Sequence, residues 1–400
     1  MTRTTKKSSD GHQFRRSARI NAGIKEDTDG SSSSAKRRKL SAASTATVSS
    51  STMPPLLDLG KLIRGTVVKR PSSVIKSPYV ADVSLLTKKN KASASTVLAH
   101  APALDVGGMC VAGSEIYLSE RDGGGKTSHS IELVRGAPLT TSKKDNGVLV
   151  GAHPRLGELI AEQVLKLGLL TEALPLKNGF ELGPVNDLSS PKKESPKKPR
   201  AKKAKTDETI SDIAKSAAKG SGNATKISLQ QQVTLGDSRV DFQMNLSHGN
   251  GTSHRIIFEV KNVVCADYES GTEPTPNGPG HCVVVAPTDG SDDEGYQRSA
   301  LFPWGRTRGQ TFDGRKVVSE RACKHLRNLR SLIDKDVTPV VLFIVNRSDC
   351  ESVRACQEKC PVFAEVLKDV VKSGVKALAV RVRWTEEGQC YFDGVVPVKV

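Results

Sequence analysis

The hydrophobic and polar positions divide this chain into a polar start, a β-rich first part and a mixed second part. Residues 1–50 carry few large apolar side chains, too few to offset the conformational entropy lost on folding. From Leu56 onward, short apolar runs alternate with Pro and Gly, which predicts strands at 63–69, 79–85, 96–100, 115–118 and 130–134. Strands at this spacing predict an all-β barrel, and an OB-like fold accommodates them.

The second part combines helical and strand periods. Leu156, Ile160 and Val164 recur every four residues, which predicts a helix over 154–168. Further elements are predicted at 319–334 (helix), 340–345 (strand), 361–373 (helix ended by Gly374) and 375–384 (strand). A strand, helix, strand order predicts a βαβ unit in a mixed sheet.

A predicted β-hairpin over 239–261 carries charge in unusual places. Its first strand alternates apolar and polar side chains, and a Gly-Asn-Gly turn follows at 249–251. The returning strand, 256–264, is almost wholly apolar, as expected of a strand covered on both faces. Only Glu259 and Lys261 interrupt it with charge, and their spacing places both on one face.

Asp241 on the first strand is predicted to lie beside this pair. Two converging carboxylates repel unless a cation neutralises them, and oxygen ligands with room for water suit Mg²⁺. Lys261 is then placed to stabilise a developing anion or to activate a water. The alternative is that Glu259 and Lys261 form an ordinary ion pair at the end of a strand.

An Asp followed by Glu-x-Lys on the next strand resembles the metal centre of the PD-(D/E)XK nuclease superfamily, whose members hydrolyse phosphodiesters with one or two metal ions. Several separated motifs extend the resemblance: KLIRGTVVKR at 61–70, EVKNV after Phe258, ALFP at 300–303, SERACKHLRNL at 319–329 and VVLFIVNRSD at 340–349. In this order they resemble the sugar fermentation stimulation protein A family over residues 56–180 and 225–400.

The resemblance implies a DNA-binding protein of mixed α+β and α/β class, with an OB-like β-barrel followed by a PD-(D/E)XK nuclease-like mixed sheet flanked by helices. The predicted domains are a disordered basic tail at 1–55, the barrel at 56–145, the start of the nuclease-like domain at 146–185, a disordered basic insertion at 186–224 and the rest of the nuclease-like domain at 225–400. A disordered loop is predicted at about 267–298, where Gly, Pro and Asp are frequent.

The resemblance also assigns roles to residues. Asp241 and Glu259, joined by Glu162 from the first helix, are predicted to bind Mg²⁺, for which Mn²⁺ can substitute. Lys261, Glu320 and Lys324 are predicted to be catalytic, and Arg321 and His325 to bind nucleic acid. The alternative for the helix over 319–334 is a solvated polar face, and for Glu162 a solvated position on an amphipathic helix.

The net charge of +17 is concentrated in two segments. Residues 1–50 hold eleven basic and four acidic residues, and residues 189–206 hold eight basic and one acidic, so fourteen of the net charges lie in predicted disorder. This favours tail-driven, salt-sensitive DNA association over a basic cleft in the core. The second segment has two Ser-Pro-Lys-Lys units, whose Lys192, Lys193, Lys197 and Lys198 are predicted to contact phosphates; a second import signal, a phosphorylated regulatory segment and a soluble spacer are the alternatives.

Localisation is predicted from the basic cluster Lys36, Arg37, Arg38 and Lys39, which is typical of nuclear import. An organelle transit peptide is the alternative, although acidic residues at 10, 26, 27 and 29 are unusual for one. We expect no secretory signal and no membrane span, because apolar runs of the required length are lacking. None of the eight cysteines forms Cys-x-x-Cys, so they are predicted to be reduced thiols rather than zinc ligands.

The sequence therefore predicts a DNA-binding protein with a nuclease-like metal site that hydrolyses phosphodiesters with Mg²⁺. The alternative is a non-catalytic nucleic-acid-binding or regulatory protein with a vestigial nuclease fold, since a fold alone does not establish catalysis. The substrate, DNA or RNA, and the oligomeric state stay open at this point.

Overall fold

The computed structural model describes most of the chain from residue 53 onward. The described residues are 53–86, 92–102, 106–121, 123, 125–136, 146–176, 179–187, 225–236, 238–276, 280–287, 295–307 and 309–400. All of them belong to one of the two compact units into which the chain divides, residues 47–400. Outside them lie almost all of the predicted tail, its import signal at 36–39, and residues 188–224 of the predicted insertion with its four phosphate-contacting lysines.

The β-rich first part forms the predicted barrel. After a short strand β1 (Leu57–Asp58) come β2 (Ile63–Lys69), β3 (Val80–Leu86), β4 (Ala92–His100), β5 (Glu115–Glu120), β6 (His129–Arg135) and β7 (Leu149–Gly151). The sheet order is β4-β3-β2-β5-β6-β7, and a parallel pairing of β4 with β6 closes it. Apolar side chains such as Val83, Ile116 and Ile131 fill the interior. A closed five-stranded, OB-like barrel is therefore confirmed.

The rest of the described chain contains the helices and the longer strands. In chain order these are α1 (Arg155–Lys166), β8 (Lys226–Leu235), β9 (Ser238–Ser247), β10 (Ser253–Val263), β11 (Cys265–Ala266), β12 (Ser299–Phe302), β13 (Thr311–Phe312), β14 (Arg315–Lys316), α2 (Glu320–Ser331), β15 (Val337–Val345), β16 (Ser352–Ala355), α3 (Pro361–Ser373), β17 (Lys376–Trp384), β18 (Gln389–Val396) and β19 (Val398–Lys399).

A seven-stranded mixed sheet organises this part, with the order β1-β18-β17-β15-β10-β9-β8. The central strands β10, β15 and β17 are parallel, and the outer strands pair antiparallel. The parallel strands are covered on both faces, which explains their long apolar runs. The predicted βαβ unit is formed by β15, α3 and β17, and the mixed α+β class is confirmed.

The helices cover opposite faces of this sheet. Leu156, Ile160 and Val164 of α1 are fully buried in one core with Phe258 of β10. The other face packs against α2 and α3, with Leu326 among the buried side chains. Ser319 caps α2 as predicted, since its hydroxyl accepts a hydrogen bond from the backbone N–H of Ala322 at 3.2 Å.

The predicted disordered loop over about 267–298 differs from the structure where it is described. Asp267, Tyr268 and Cys282 are buried, and the backbone N–H of Tyr268 donates to the carbonyl of Val284 at 2.9 Å. A second sheet, β11-β12-β16-β19, lies beside these residues. Composition alone missed this packing because the few apolar and charged side chains between the glycines and prolines have partners elsewhere in the chain.

Two predicted domain boundaries also differ from the pairing of the strands. Leu57 and Asp58 were assigned to the barrel, but β1 pairs with β18 at the edge of the large sheet. Conversely, β7 was assigned to the second domain and pairs with β6 of the barrel. At this junction the backbone N–H of Gly151 donates to the carbonyl of Asn346 at 3.0 Å. A Cβ at residue 151 would lie 2.6 Å from the Asn346 side-chain oxygen, so this approach requires glycine.

Within the described ranges, none of the helices has the length and apolar character that crossing a membrane requires.

Candidate active site

The hairpin of β9 and β10 brings the predicted acidic residues together. The strands pair in register from Ser247 with Ser253 to Phe242 with Phe258. Asp241 lies next to Phe242, just beyond this last pair. Its carboxylate accepts a hydrogen bond from the backbone N–H of Val260 on β10 at 2.7 Å. The predicted hairpin and the proximity of Asp241 to β10 are both seen in the structure.

Glu259 and Lys261 lie on one face of β10, as their spacing predicted. They are 3% and 9% exposed, and the Lys261 Nζ donates to Glu259 Oε1 at 2.5 Å. His325 of α2, predicted to bind nucleic acid, instead hydrogen-bonds through Nδ1 to the same carboxylate oxygen. Asp241, Glu259, Lys261 and His325 are called the acidic site below.

The two carboxylates of the acidic site differ in their electrostatics. Burial and then the charge of Glu259 raise the pKa of Asp241 to about 6, against the opposing effects of the Val260 N–H and of Lys261. Burial also acts to raise the pKa of Glu259, but the hydrogen bonds and charges of His325 and Lys261 outweigh it and hold this pKa below its usual value. Asp241 is therefore the carboxylate whose negative charge is poorly compensated.

Of the carboxylates of α1, Glu158 affects the pKa of Asp241, whereas the residue predicted to join the site was Glu162. The charge of Glu158 contributes to the raised pKa of Asp241, whereas Glu162 pairs with Lys166 at 2.7 Å along α1. The metal-binding role of Glu162 stays a prediction. The helix approaches β10 closely beside Glu158, since a Cβ at Gly157 would lie 2.9 Å from the Asn262 Cβ.

The acidic site offers fewer metal ligands than predicted. The described residues contain no group of three or more His, Cys, Asp or Glu side chains placed to hold a metal ion. One further oxygen is available on β9, two residues from Asp241. Gln243 is 8% exposed, and its amide oxygen has no hydrogen-bond partner in the described structure. Two carboxylates and this amide suit a hard cation that keeps several waters, as Mg²⁺ does.

A cleft of about 370 Å³ lies between α2 and the turn end of the β8–β9 hairpin. Its lining residues are Ser238, Arg239, Glu320, Arg321, Lys324, His325 and Asn328. His325 thus connects the cleft to Glu259. No sequence pattern singled out Arg239, because only the tertiary structure places it opposite α2.

The predicted catalytic residues of α2 form the wall of this cleft. The Lys324 ammonium pairs with Glu320 at 2.7 Å on the exposed helix surface, so these two residues neutralise each other rather than contacting Glu259. Arg321 is exposed and donates through Nε to His325 Nε2 at 3.2 Å. The cations of α2 therefore face the cleft, and the buried charges lie beneath His325.

A two-part protein of this kind, an OB-like barrel joined to a mixed α/β sheet with a buried acidic site, matches known proteins in sequence and fold. Residues 316–388 match the family model described as "Sugar fermentation stimulation protein RE domain". The homologue of Rippkaea orientalis is 38% identical over 76 residues, 19% of this chain and 31% of that protein. The homologue of Pseudomonas fluorescens is 35% identical over 118 residues, 30% of this chain and 43% of that protein. The chain thus aligns with less than half the length of these relatives.

A solved structure shares the fold. Its title is "The structure of Pyrococcus Furiosus SfsA in complex with Ca2+", and it aligns with 87% of this chain and all of its own at a TM-score of 0.51 and 14% identity. The predicted resemblance to the sugar fermentation stimulation protein family is confirmed by the match of residues 316–388 to that family's domain model.

Proposed function

We propose that this protein binds DNA and hydrolyses phosphodiesters at the acidic site with Mg²⁺, for which Mn²⁺ can substitute. The observation that carries the proposal is the convergence of Asp241, Glu259 and Lys261 in one buried position beside a cleft with cationic walls. Buried charges are costly in stability, and a buried carboxylate with a raised pKa beside a cleft is a candidate functional residue. RNA is an alternative substrate that the experiment below includes.

The residues of the site fit a divalent cation. The raised pKa of Asp241 reports negative charge that Lys261 does not fully compensate, and a cation shared with Glu259 would relieve it. The solved homologue of Pyrococcus furiosus is described as a complex with Ca²⁺, an ion with the same preference for oxygen ligands. A bound Mg²⁺ supplies Lewis-acid stabilisation of charge on the phosphoryl oxygens.

The other residues of the site act on the substrate and on each other. Lys261 lies in reach of a phosphate that approaches Glu259, so its ammonium stabilises negative charge that develops on the phosphate. His325 holds the Glu259 carboxylate in place through Nδ1. Arg321 attracts the backbone into the cleft and adds no sequence preference, since phosphates are the same in every nucleotide.

One observation favours the second candidate, a nucleic-acid-binding protein without catalysis. Oε1 of Glu259 is already hydrogen-bonded by Lys261 and His325, so half of the metal site is stable without a metal. In that case the barrel, the cleft and the basic segments bind the backbone while the acidic site is vestigial.

The decisive experiment is cleavage of labelled single- and double-stranded DNA and RNA with Mg²⁺, Mn²⁺ or EDTA. Wild type is compared with Asp241→Ala and Lys261→Ala. Glu162→Ala, which removes a carboxylate of α1 that pairs with Lys166, is the control. Metal-dependent cleavage that the first two substitutions abolish and Glu162→Ala preserves supports the enzyme. Binding that persists in EDTA and in all variants, without any cleavage, supports the vestigial site.

The basic segments add two proposals that rest on the sequence alone. The lysines at 192, 193, 197 and 198 supply salt-sensitive contacts to phosphates, and the cluster at 36–39 directs the protein to the nucleus. A fluorescent fusion with Lys36, Arg37, Arg38 and Lys39 changed to Ala tests the second. Nuclear accumulation of this variant would contradict it, and accumulation in an organelle would favour a transit peptide.

A further inference from the structure

The depth of the acidic site restricts the form of nucleic acid that reaches it. Asp241, Glu259 and Lys261 are each less than a tenth exposed, and the His325 side chain, 13% exposed, lies over Glu259. In a duplex, the phosphates are held along a stiff double helix, and bending it so that one phosphate enters a recess costs free energy. A single strand has free backbone torsions, so one of its phosphates can move below the rim of the cleft.

The size of the cleft points in the same direction. Its volume of about 370 Å³ is at the lower end of the range of about 300–1,000 Å³ for pockets that enclose one small ligand. A cleft of this volume, between α2 and the turn end of the β8–β9 hairpin, is small compared with the surface that a duplex presents.

Cations stand on both walls. Arg239 on the hairpin is exposed and has no ion-pair partner among the described residues, and Arg321 lines the α2 wall beside the ion pair of Lys324 with Glu320. A backbone that passes between them is neutralised from two sides, whereas a duplex lying across the rim reaches one wall at a time. The lining residues include no Phe, Tyr or Trp, so contacts to the phosphates, rather than base stacking on such rings, are expected to carry binding in the cleft.

We infer that the substrate of the cleft is a single nucleic-acid strand, and that Arg239 is a positioning residue that selects it over a duplex. The inference rests on the proposed function and names its substrate class. It separates two modes of binding: the basic segments at 1–50 and 189–206 contact any phosphate backbone, and the cleft takes only unpaired strands.

The test is binding of the full chain to three labelled DNAs by fluorescence anisotropy: a single strand, the same sequence as a blunt duplex, and the duplex with a single-stranded tail. Measurements are made in EDTA, where a metal-dependent enzyme does not cleave, and again with Ca²⁺. The variants are Arg239→Gln and, as a matched control on the far side of α2, Arg330→Gln, whose guanidinium pairs with Asp369 of α3.

Arg239→Gln is expected to weaken binding of the single strand and the tailed duplex by about 3- to 10-fold and to lower the slope of log K against log salt by about 0.7. Binding of the blunt duplex and all properties of Arg330→Gln should stay unchanged. An equal loss for all three DNAs, or no loss, overturns the inference while the proposed function stands. If wild type binds none of them, the proposed function fails as well.

Discussion

Two clusters of buried charge lie in the α/β part of the molecule, and they balance charge differently. In the acidic site, two carboxylates face one lysine and one histidine, and the pKa of Asp241 is raised. In the second cluster, here called the arginine network, three guanidinium groups face three carboxylates. Its members are Asp267, Arg298, Arg347, Asp349 and Arg354, with Glu358 at the rim.

The charges of the arginine network are paired among its own members, although one guanidinium nitrogen of Arg298 and one of Arg354 have no hydrogen-bond partner among the described residues. Arg347 binds Asp349 through two hydrogen bonds of 2.6 and 2.7 Å, and Arg298 binds the same carboxylate at 2.6 Å. Burial acts to raise the pKa of Asp349, but the charges and hydrogen bonds of Arg347 and Arg298 outweigh it and hold this pKa well below its usual range. Asp241 and Asp349 are both largely shielded from water, but their pKa values shift in opposite directions, because a second carboxylate acts on Asp241 and two guanidinium groups bind Asp349.

The largest expected effect breaks the arginine network. Asp349→Ala leaves Arg298 and Arg347 buried without their shared carboxylate, which we expect to lower the free energy of unfolding by about 3–5 kcal/mol. Urea unfolding at pH 7.5 measures this change. Glu365→Ala, which removes the exposed partner of Arg315, is the control and should have no measurable effect. An Asp349→Ala variant as stable as wild type would show that the network contributes little.

The second prediction concerns the acidic site, where removing a charge is expected to raise the free energy of unfolding rather than lower it. The folded pKa of Asp241, about 6, lies above its ordinary value, so the stability associated with its proton is fully present below about pH 4 and is lost as the pH rises through about 6. Asp241→Asn keeps an acceptor for the Val260 N–H and removes the charge. We expect it to be more stable than wild type by roughly 1–3 kcal/mol at pH 7.5.

The same substitution should give no advantage at about pH 3, where Asp241 is largely protonated in both the folded and the unfolded chain. Urea unfolding at the two pH values measures the difference. A variant that is less stable than wild type at pH 7.5 would contradict the view that Asp241 is an uncompensated charge.

The third prediction separates the clusters by their response to a cation. Ca²⁺ or Mg²⁺ at ten times its dissociation constant should stabilise wild type by about 1.4 kcal/mol, seen as a rise in Tm that is absent in EDTA. Asp241→Asn should lose this rise. Arg354→Lys, a conservative change in the arginine network, should retain it. A rise that survives in Asp241→Asn would place the cation elsewhere.

The smallest effect distinguishes the two carboxylates of α1. The charge of Glu158 contributes to the raised pKa of Asp241. Glu158→Gln should therefore lower that pKa by about a few tenths of a pH unit, because the charge is partly screened by solvent. Glu162→Gln should leave it unchanged. Carbon-13 NMR titration of the Asp241 carboxyl measures both. Equal shifts in the two variants would remove the distinction between Glu158 and Glu162.

Local periodicity was sufficient to predict the elements that carry the acidic site. Alternating apolar residues predicted β9 and β10, a repeat of four predicted α1, and Ser319 marked the start of α2. The spacing of Glu259 and Lys261 required one face of a strand, and both are on one face. These predictions succeeded because they depend on the pleat and the helical turn, which neighbouring residues determine.

These local patterns did not predict which distant segments of the chain contact each other. That β1 joins β18, that part of the predicted loop over 267–298 is buried, and that Glu158 rather than Glu162 acts on Asp241 all depend on contacts between distant segments. The contact of His325 also joins distant segments: its Nδ1 hydrogen-bonds to Glu259, a partner that no local pattern predicts.

The sequence by itself determined which residue types are available to the site: a carboxylate on each strand of one hairpin, a lysine two residues further, and a cationic helix. Only the tertiary structure decided how deeply they are buried and which charges meet. The physical reason is that pKa values and access depend on burial and on distances between side chains, and both quantities arise only when α1, α2 and the sheet pack together.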